Sequence, residues 1–213
     1  MKSKKLKKWT TLLTCATALT VMTACSQSSS QSTGTTSSTT SKTSAVTATT
    51  SKKTNKNNSN YFTSKDSDTS YNESSATKIK LSGSSADVSG DGAALSGSTV
   101  TISKAGTYVI SGKSDGVQIK VDAGDSDDVH IVLDGVTMTN TNAAINATKA
   151  GHVYLTLKDG TTNTLSDSSS NSDEDADAVI FSKGDLTING SGTLNIDAKK
   201  NNGIKANDSL HMT

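Results

Sequence analysis

The chain has 213 residues, 21 basic and 20 acidic, for a formal net charge of +1, with 31% hydrophobic and only 3% aromatic residues and no proline. All basic residues are lysine and five of them lie in the first eight positions, so removal of the leader would leave a chain near −4. That balance argues against a nucleic-acid partner, and the two cysteines, Cys15 and Cys25, leave no disulfide to a processed protein.

Residues 1–24 read as a secretory signal. A basic run (Lys2, Lys4, Lys5, Lys7, Lys8) precedes an apolar stretch from Trp9 to Met22 that is short for a membrane span. Met22-Thr23-Ala24-Cys25 resembles a bacterial lipobox, with Met22 standing where that motif usually has leucine. The resemblance implies lipidation at Cys25, contact with the membrane through the lipid anchor only, and a location on the extracellular face of the cell membrane.

Residues 25–77 are dominated by Ser, Thr, Lys and Asn. Such a segment lacks the apolar surface to offset its ordering entropy, and is expected to be a disordered tether.

From residue 78 the texture changes to short alternating β-branched and leucine-rich runs bounded by Gly, Asp or Asn, which is strand patterning. Val129-Ile131-Leu133 is followed 24 residues later by Val153-Leu155-Leu157, and Leu186-Ile188 is followed 24 residues later by Leu210-Met212. The middle interval is 33, and the acidic, serine-rich stretch Ser168 to Asp177 accounts for its excess. Ile119, Ile145, Ile180 and Ile204 form a second ladder lengthened at the same place, and Leu165 and Ile196 mark a third strand position. A period of about 24 residues with three short strands predicts an all-β fold, a right-handed parallel β-helix over 78–213. Residues 78–115 are less regular and suit an N-terminal cap. Because Thr213 falls inside the last ladder, the chain is expected to be truncated at its C-terminus or to rely on another chain at that edge.

The stretches Leu155 to Asp167, Asp177-Ala-Val-Ile-Phe-Ser-Lys-Gly-Asp-Leu186 and Asn202-Gly-Ile204 resemble a bacterial family of carbohydrate-binding parallel β-helices. That family binds cellulose-like and pectate-like polysaccharides, is similar in fold to polysaccharide lyases, and carries calcium. The resemblance implies a polysaccharide as partner and calcium as cofactor.

Two acidic groups are the metal candidates: Asp173, Glu174, Asp175 and Asp177 in the insertion, and Asp122, Asp125, Asp127 and Asp128 in a turn one period earlier. Calcium takes about six to eight oxygens, and clustered carboxylates supply them. Neither group has the spacing of an EF-hand loop. With so few aromatic residues, a flat platform for crystalline cellulose is excluded, which favours acidic or soluble glycans read by polar groups. Tyr154 alternates outward between Val153 and Leu155 and is the expected stacking residue, with Lys158 and Lys183 as polar contacts. His130, His152 and His211 also alternate outward and should form a row.

A uronate lyase needs a base next to the carboxylate, and arginine is absent. Lys158, Lys183, Lys199, Lys200 and Lys205 remain as candidate bases. The expected function is therefore a surface polysaccharide binder rather than an enzyme, with a calcium-dependent lyase and a structural adhesin as alternatives.

Overall fold

The computed structural model describes residues 61–213, which are all-β apart from one 3₁₀ turn, Ser64–Ser67. Two antiparallel hairpins come first: β1 (Thr77–Gly83) with β2 (Ser85–Ser89), then β3 (Ala93–Ser96) with β4 (Thr99–Ile102). Gly83 and Gly97, at φ of 60° and 59°, supply the left-handed residue that each tight turn requires.

The remaining strands are β5 (Gly106–Asp115), β6 (Gln118–Asp122), β7 (Asp128–Thr139), β8 (Ile145–Lys149), β9 (His152–Leu157) and β10 (Thr162–Ser166). They are followed by β11 (Ala178–Ser182), β12 (Asp185–Gly190), β13 (Thr193–Asp197), β14 (Asn202–Ala206) and β15 (Leu210–Met212). Every pairing outside the two hairpins is parallel. The first sheet runs β15-β12-β9-β7-β5-β1-β2, with β10 pairing both β7 and β13, and the second runs β14-β11-β8-β6-β4-β3. Both sheets are open.

The residues aligned by spacing are cross-strand partners. Val129 pairs with Val153, Val153 with Leu186 and Leu186 with Leu210, while Ile119, Ile145, Ile180 and Ile204 pair in series across the second sheet. Leu165 pairs with Ile196 and also with Met138. In β5 and β7 one long strand bends, and the register slips between Ser111 and Gly112 so that Gly135 is the extra residue, a β-bulge. Further along, the same corner is opened by Lys158 to Thr161 between β9 and β10, and by Ser191-Gly192 between β12 and β13.

The inner faces of the two sheets supply one apolar core, in which Ile79, Ile110, Ile131, Ile119 and Val100 are fully buried. Each such side chain contributes roughly 1.5–3 kcal/mol by leaving water. Burial thins toward β15, where Leu210 and Met212 are 42% and 53% exposed, because no further strand covers them among the described residues. Two satellite clusters lie outside the core: Ala143, Ala176, Ala178 and Phe181 beside the insertion, and Ala76, Val109 and Val132 under Tyr71.

The second satellite corrects the expected boundary at residue 78. The packed part of the chain starts at Phe62, and the segment from there to Ala76 lies across the outward face of the first sheet, held at Asp66, Lys65 and Tyr71. The signal peptide, Cys25 and linker residues 25–60 lie outside the described residues.

Candidate functional site

Alternation places Val153, Leu155, Leu186 and Ile188 inward, so their neighbours His152, Tyr154, Thr156, Thr187 and Asn189 face out from adjacent strands. His130 on β7 and His211 on β15 extend the row on either side. These side chains form one hydrogen-bonded strip. Thr187 Oγ1 lies 2.6 Å from Asp66 Oδ1 and 2.8 Å from His152 Nε2. Thr156 Oγ1 donates to Asn189 Oδ1 at 2.6 Å and lies 2.7 Å from His130 Nε2. Each threonine hydroxyl gives its one proton to an acceptor that has none, so His130 and His152 carry theirs on Nε2 and donate.

The segment ahead of β1 seats on this strip through a turn that it closes itself. Thr63 N and Oγ1 donate to Asp66 Oδ2 at 2.7 and 2.9 Å, and Asp66 N donates back to Thr63 O at 3.2 Å. Asp66 is 1% exposed, and its other oxygen meets Thr187 and, at 3.1 Å, His211 Nδ1. Asn189 Nδ2 donates to the carbonyls of Asp66 and Asp68 at 3.0 and 3.1 Å, and Thr213 Oγ1 donates to Asp66 O at 3.0 Å. Burial pushes the Asp66 carboxyl up, but the hydrogen bonds from Thr187, Thr63 and His211 together outweigh it and hold the group well below the usual carboxylate range. Burial also lowers His130 and His152 below their ordinary value.

Tyr154 faces outward as alternation predicts, yet is only 8% exposed. Its ring stacks on His152 at 4.1 Å and 8°, and Lys65 Nζ stands 4.9 Å above it while pairing with Asp128. Tyr71 meets His130 edge-on at 6.0 Å, and Phe62 leans on His211 at 5.2 Å. The expected stacking residue is therefore under a cover in this conformation.

Lys158 pairs with Asp134 at 2.7 Å, and that hydrogen bond raises its pKa. Lys183 is exposed. Of the insertion carboxylates, Asp173, Glu174 and Asp177 line a shallow cleft with Asn171, Lys200 and Asn201, while Asp175 is exposed. Asp173 Oδ1 accepts from the amides of Asp175 and Ala176, and Asp177 pairs with Lys205 at 2.6 Å, which lowers its pKa. In the earlier turn Asp122 pairs with Lys120, Asp125 with Lys149 and Asp128 with Lys65, while Asp127 accepts from Gly124 N. Among the described residues no three His, Cys, Asp or Glu side chains gather closely enough to hold a metal ion. Lysines and backbone amides occupy most of the carboxylates of the two groups.

Sequence reasoning missed Asp66, Thr187 and Asn189. The Thr63-x-x-Asp66 pattern was the available signal for a turn there, and nothing local announced its docking site.

The chain is 40% identical over 129 residues to a carbohydrate-binding domain-containing protein from Acetivibrio thermocellus, a match covering 58% of this chain and 45% of that one. It is similar to the solved structure of a polysaccharide lyase-like protein from C. thermocellum, a gadolinium derivative, with a TM-score of 0.62 and 36% identity over 65% of this chain and 58% of the other. The chain thus spans about half the length of the relatives it matches. The family model for carbohydrate-binding domain-containing proteins matches residues 96–213, more than half of the chain, and the chain belongs to that family.

Proposed function

We propose that this protein is a surface polysaccharide-binding protein, anchored through a lipid on Cys25, whose folded part is a right-handed parallel β-helix. The carrying observation is the outward face of the first sheet, where His, Thr, Tyr and Asn side chains repeat across parallel strands β7, β9, β12 and β15. Strands about 4.8 Å apart present such groups at a regular rise, which suits a linear polymer with a repeating set of hydroxyls. Scarcity of aromatic rings favours acidic or soluble glycan chains over a crystalline surface. Family membership and the similarity to the carbohydrate-binding Acetivibrio thermocellus relative support the same ligand class.

Similarity to a polysaccharide lyase-like protein favours a second reading, a lyase acting on uronates. Against Lys158 as its base stands the hydrogen bond to Asp134, which holds the ammonium protonated.

The test is calorimetric titration of the protein with oligogalacturonate and cello-oligosaccharides, with ultraviolet absorbance followed in parallel. Saturable binding without a rise in absorbance supports the binder. Release of unsaturated uronides would establish the lyase instead, and indifference to every glycan would leave the adhesin.

A further inference from the structure

Asp66 is a buried carboxylate whose contacts divide evenly, with Thr63 of its own segment on one oxygen and groups of the sheet on the other. Thr187 Oγ1 and His211 Nδ1 meet one carboxylate oxygen, while Asn189 and Thr213 hold the adjoining backbone carbonyl. These donors sit on β12, on β15 and just beyond it, strands that pair with each other without the segment, so they constitute a socket with its own geometry. Beside it lie the stacked rings of His152 and Tyr154, covered by Lys65. A carboxylate socket next to an aromatic face, with hydroxyl and amide groups continuing along the strip, has the polarity pattern of a uronic acid residue.

We infer that this strip is a binding site for carboxylate-bearing glycans and that Asp66, on the strap formed by residues 62–76, is its internal occupant. The inference rests on the polysaccharide-binding reading and names its site and ligand class. A uronate carboxylate would take the place of Asp66 against Thr187 and His211, sugar hydroxyls would replace the strap carbonyls at Asn189, and the pyranose face would lie on Tyr154 once Lys65 lifts away. Because the strap is joined directly to β1, it competes at an effective concentration of the order of millimolar. The apparent affinity for glycan is then the intrinsic affinity reduced by the fraction of molecules with the strap open. The strip thus favours a polymer that offers many carboxylates over a single acidic sugar.

The experiment measures two quantities on the full chain: binding of oligogalacturonate by calorimetry, and hydrogen exchange of the amides of residues 63–70. Adding oligogalacturonate to the unmodified protein should accelerate that exchange. Asp66→Asn, combined with Lys65→Ala, should do so without ligand and tighten binding about tenfold or more. Thr187→Val or Asn189→Ala in that background should abolish the gain. Cello-oligosaccharides, which lack the carboxylate, should bind more weakly. Polyglutamate bound as tightly as oligogalacturonate would overturn the assignment by showing a site for acidic peptides. Oligogalacturonate binding that leaves strap exchange unchanged overturns the inference while the general reading stands, since the glycan then sits elsewhere. If the freed strip binds no glycan and neither does the unmodified protein, both readings fail.

Discussion

Asp66 and Thr187 stand 121 residues apart in the chain, with Oδ1 of one 2.6 Å from Oγ1 of the other. That contact ties the segment ahead of the first strand to the twelfth strand, and the same hydroxyl also lies 2.8 Å from His152 Nε2. Thr187→Val keeps the shape and removes both bonds, leaving buried polar atoms on Asp66 and His152 without this partner. The expected cost is about 1–3 kcal/mol, which lowers the melting temperature by roughly 3–10 °C in a domain of this size. Thermal unfolding followed by circular dichroism checks it, and a melting point equal to that of the unmodified protein would show that this hydroxyl adds no stability.

Acid should loosen the protein in two stages. His130 and His152 are held by burial below their ordinary 6.5. The unfolded chain therefore takes up these protons at a higher pH than the folded one. Their contribution is complete above about pH 6.5 and declines as pH falls through that value toward the folded pKa. Asp66 is held below its ordinary 3.8, so its contribution is present above about pH 4 and is lost only as pH falls further, toward its folded value. Urea midpoints measured from pH 8 to 3 should show a first decline as pH falls through about 6.5, then a second below about pH 4. His152→Gln should flatten the first decline and leave the second.

Two glycines on different strands should be harder to replace than Gly160. Gly190, at φ +97°, pairs with Leu157, and an added Cβ would meet that residue's carbonyl oxygen at 2.3 Å. Gly112, at φ +90°, pairs with Leu81 and meets its carbonyl oxygen at 2.4 Å. Gly160 also has positive φ, +69°, but open space around it. Gly160→Ala should cost about 1–2 kcal/mol from backbone strain alone, whereas Gly190→Ala must also displace a backbone carbonyl and should cost about 3 kcal/mol or more. Urea denaturation of the two variants makes the comparison.

What could be read from sequence follows the range of the forces concerned. The partnership of Val129, Val153, Leu186 and Leu210 was legible because inward positions in parallel strands repeat at nearly fixed intervals, and the stretch from Ser168 to Asp177 displaced two ladders together. The alternation also gave the outward direction of Tyr154, since it fixes a side chain's face. Alternation is silent about what covers that face, and the cover comes from residues 62–76, whose polar composition looks like an unstructured tether. Their order depends on hydrogen bonds to residues more than a hundred positions away, beyond any local window. The acidic groups show the same limit: composition counts the carboxylates, but only the fold reveals that Asp177 meets Lys205 and Asp128 meets Lys65.

Asn163 brings the same limit into the interior. It shares the inward parity of Leu165 on β10 and is completely buried, a position that patterning assigns to an apolar side chain. Its Oδ1 accepts from Val136 N at 2.9 Å, and its Nδ2 lies 3.2 Å from Thr161 Oγ1 and 3.3 Å from Thr193 O. Val136 directly follows the bulge residue Gly135, so its amide is one that the interrupted ladder leaves to a side chain. Asn163 therefore satisfies the corner of β7 while touching the strands that follow it. Asn163→Leu would add apolar volume but orphan the Val136 amide inside the protein, at about 1–3 kcal/mol. Leu165→Ala, two residues along, should cost about 2–5 kcal/mol through the cavity alone. Equal or greater loss for Asn163→Leu in urea unfolding would place the polar corner on a par with the apolar ladder as a determinant of this fold; a neutral result would mean that water supplies those bonds.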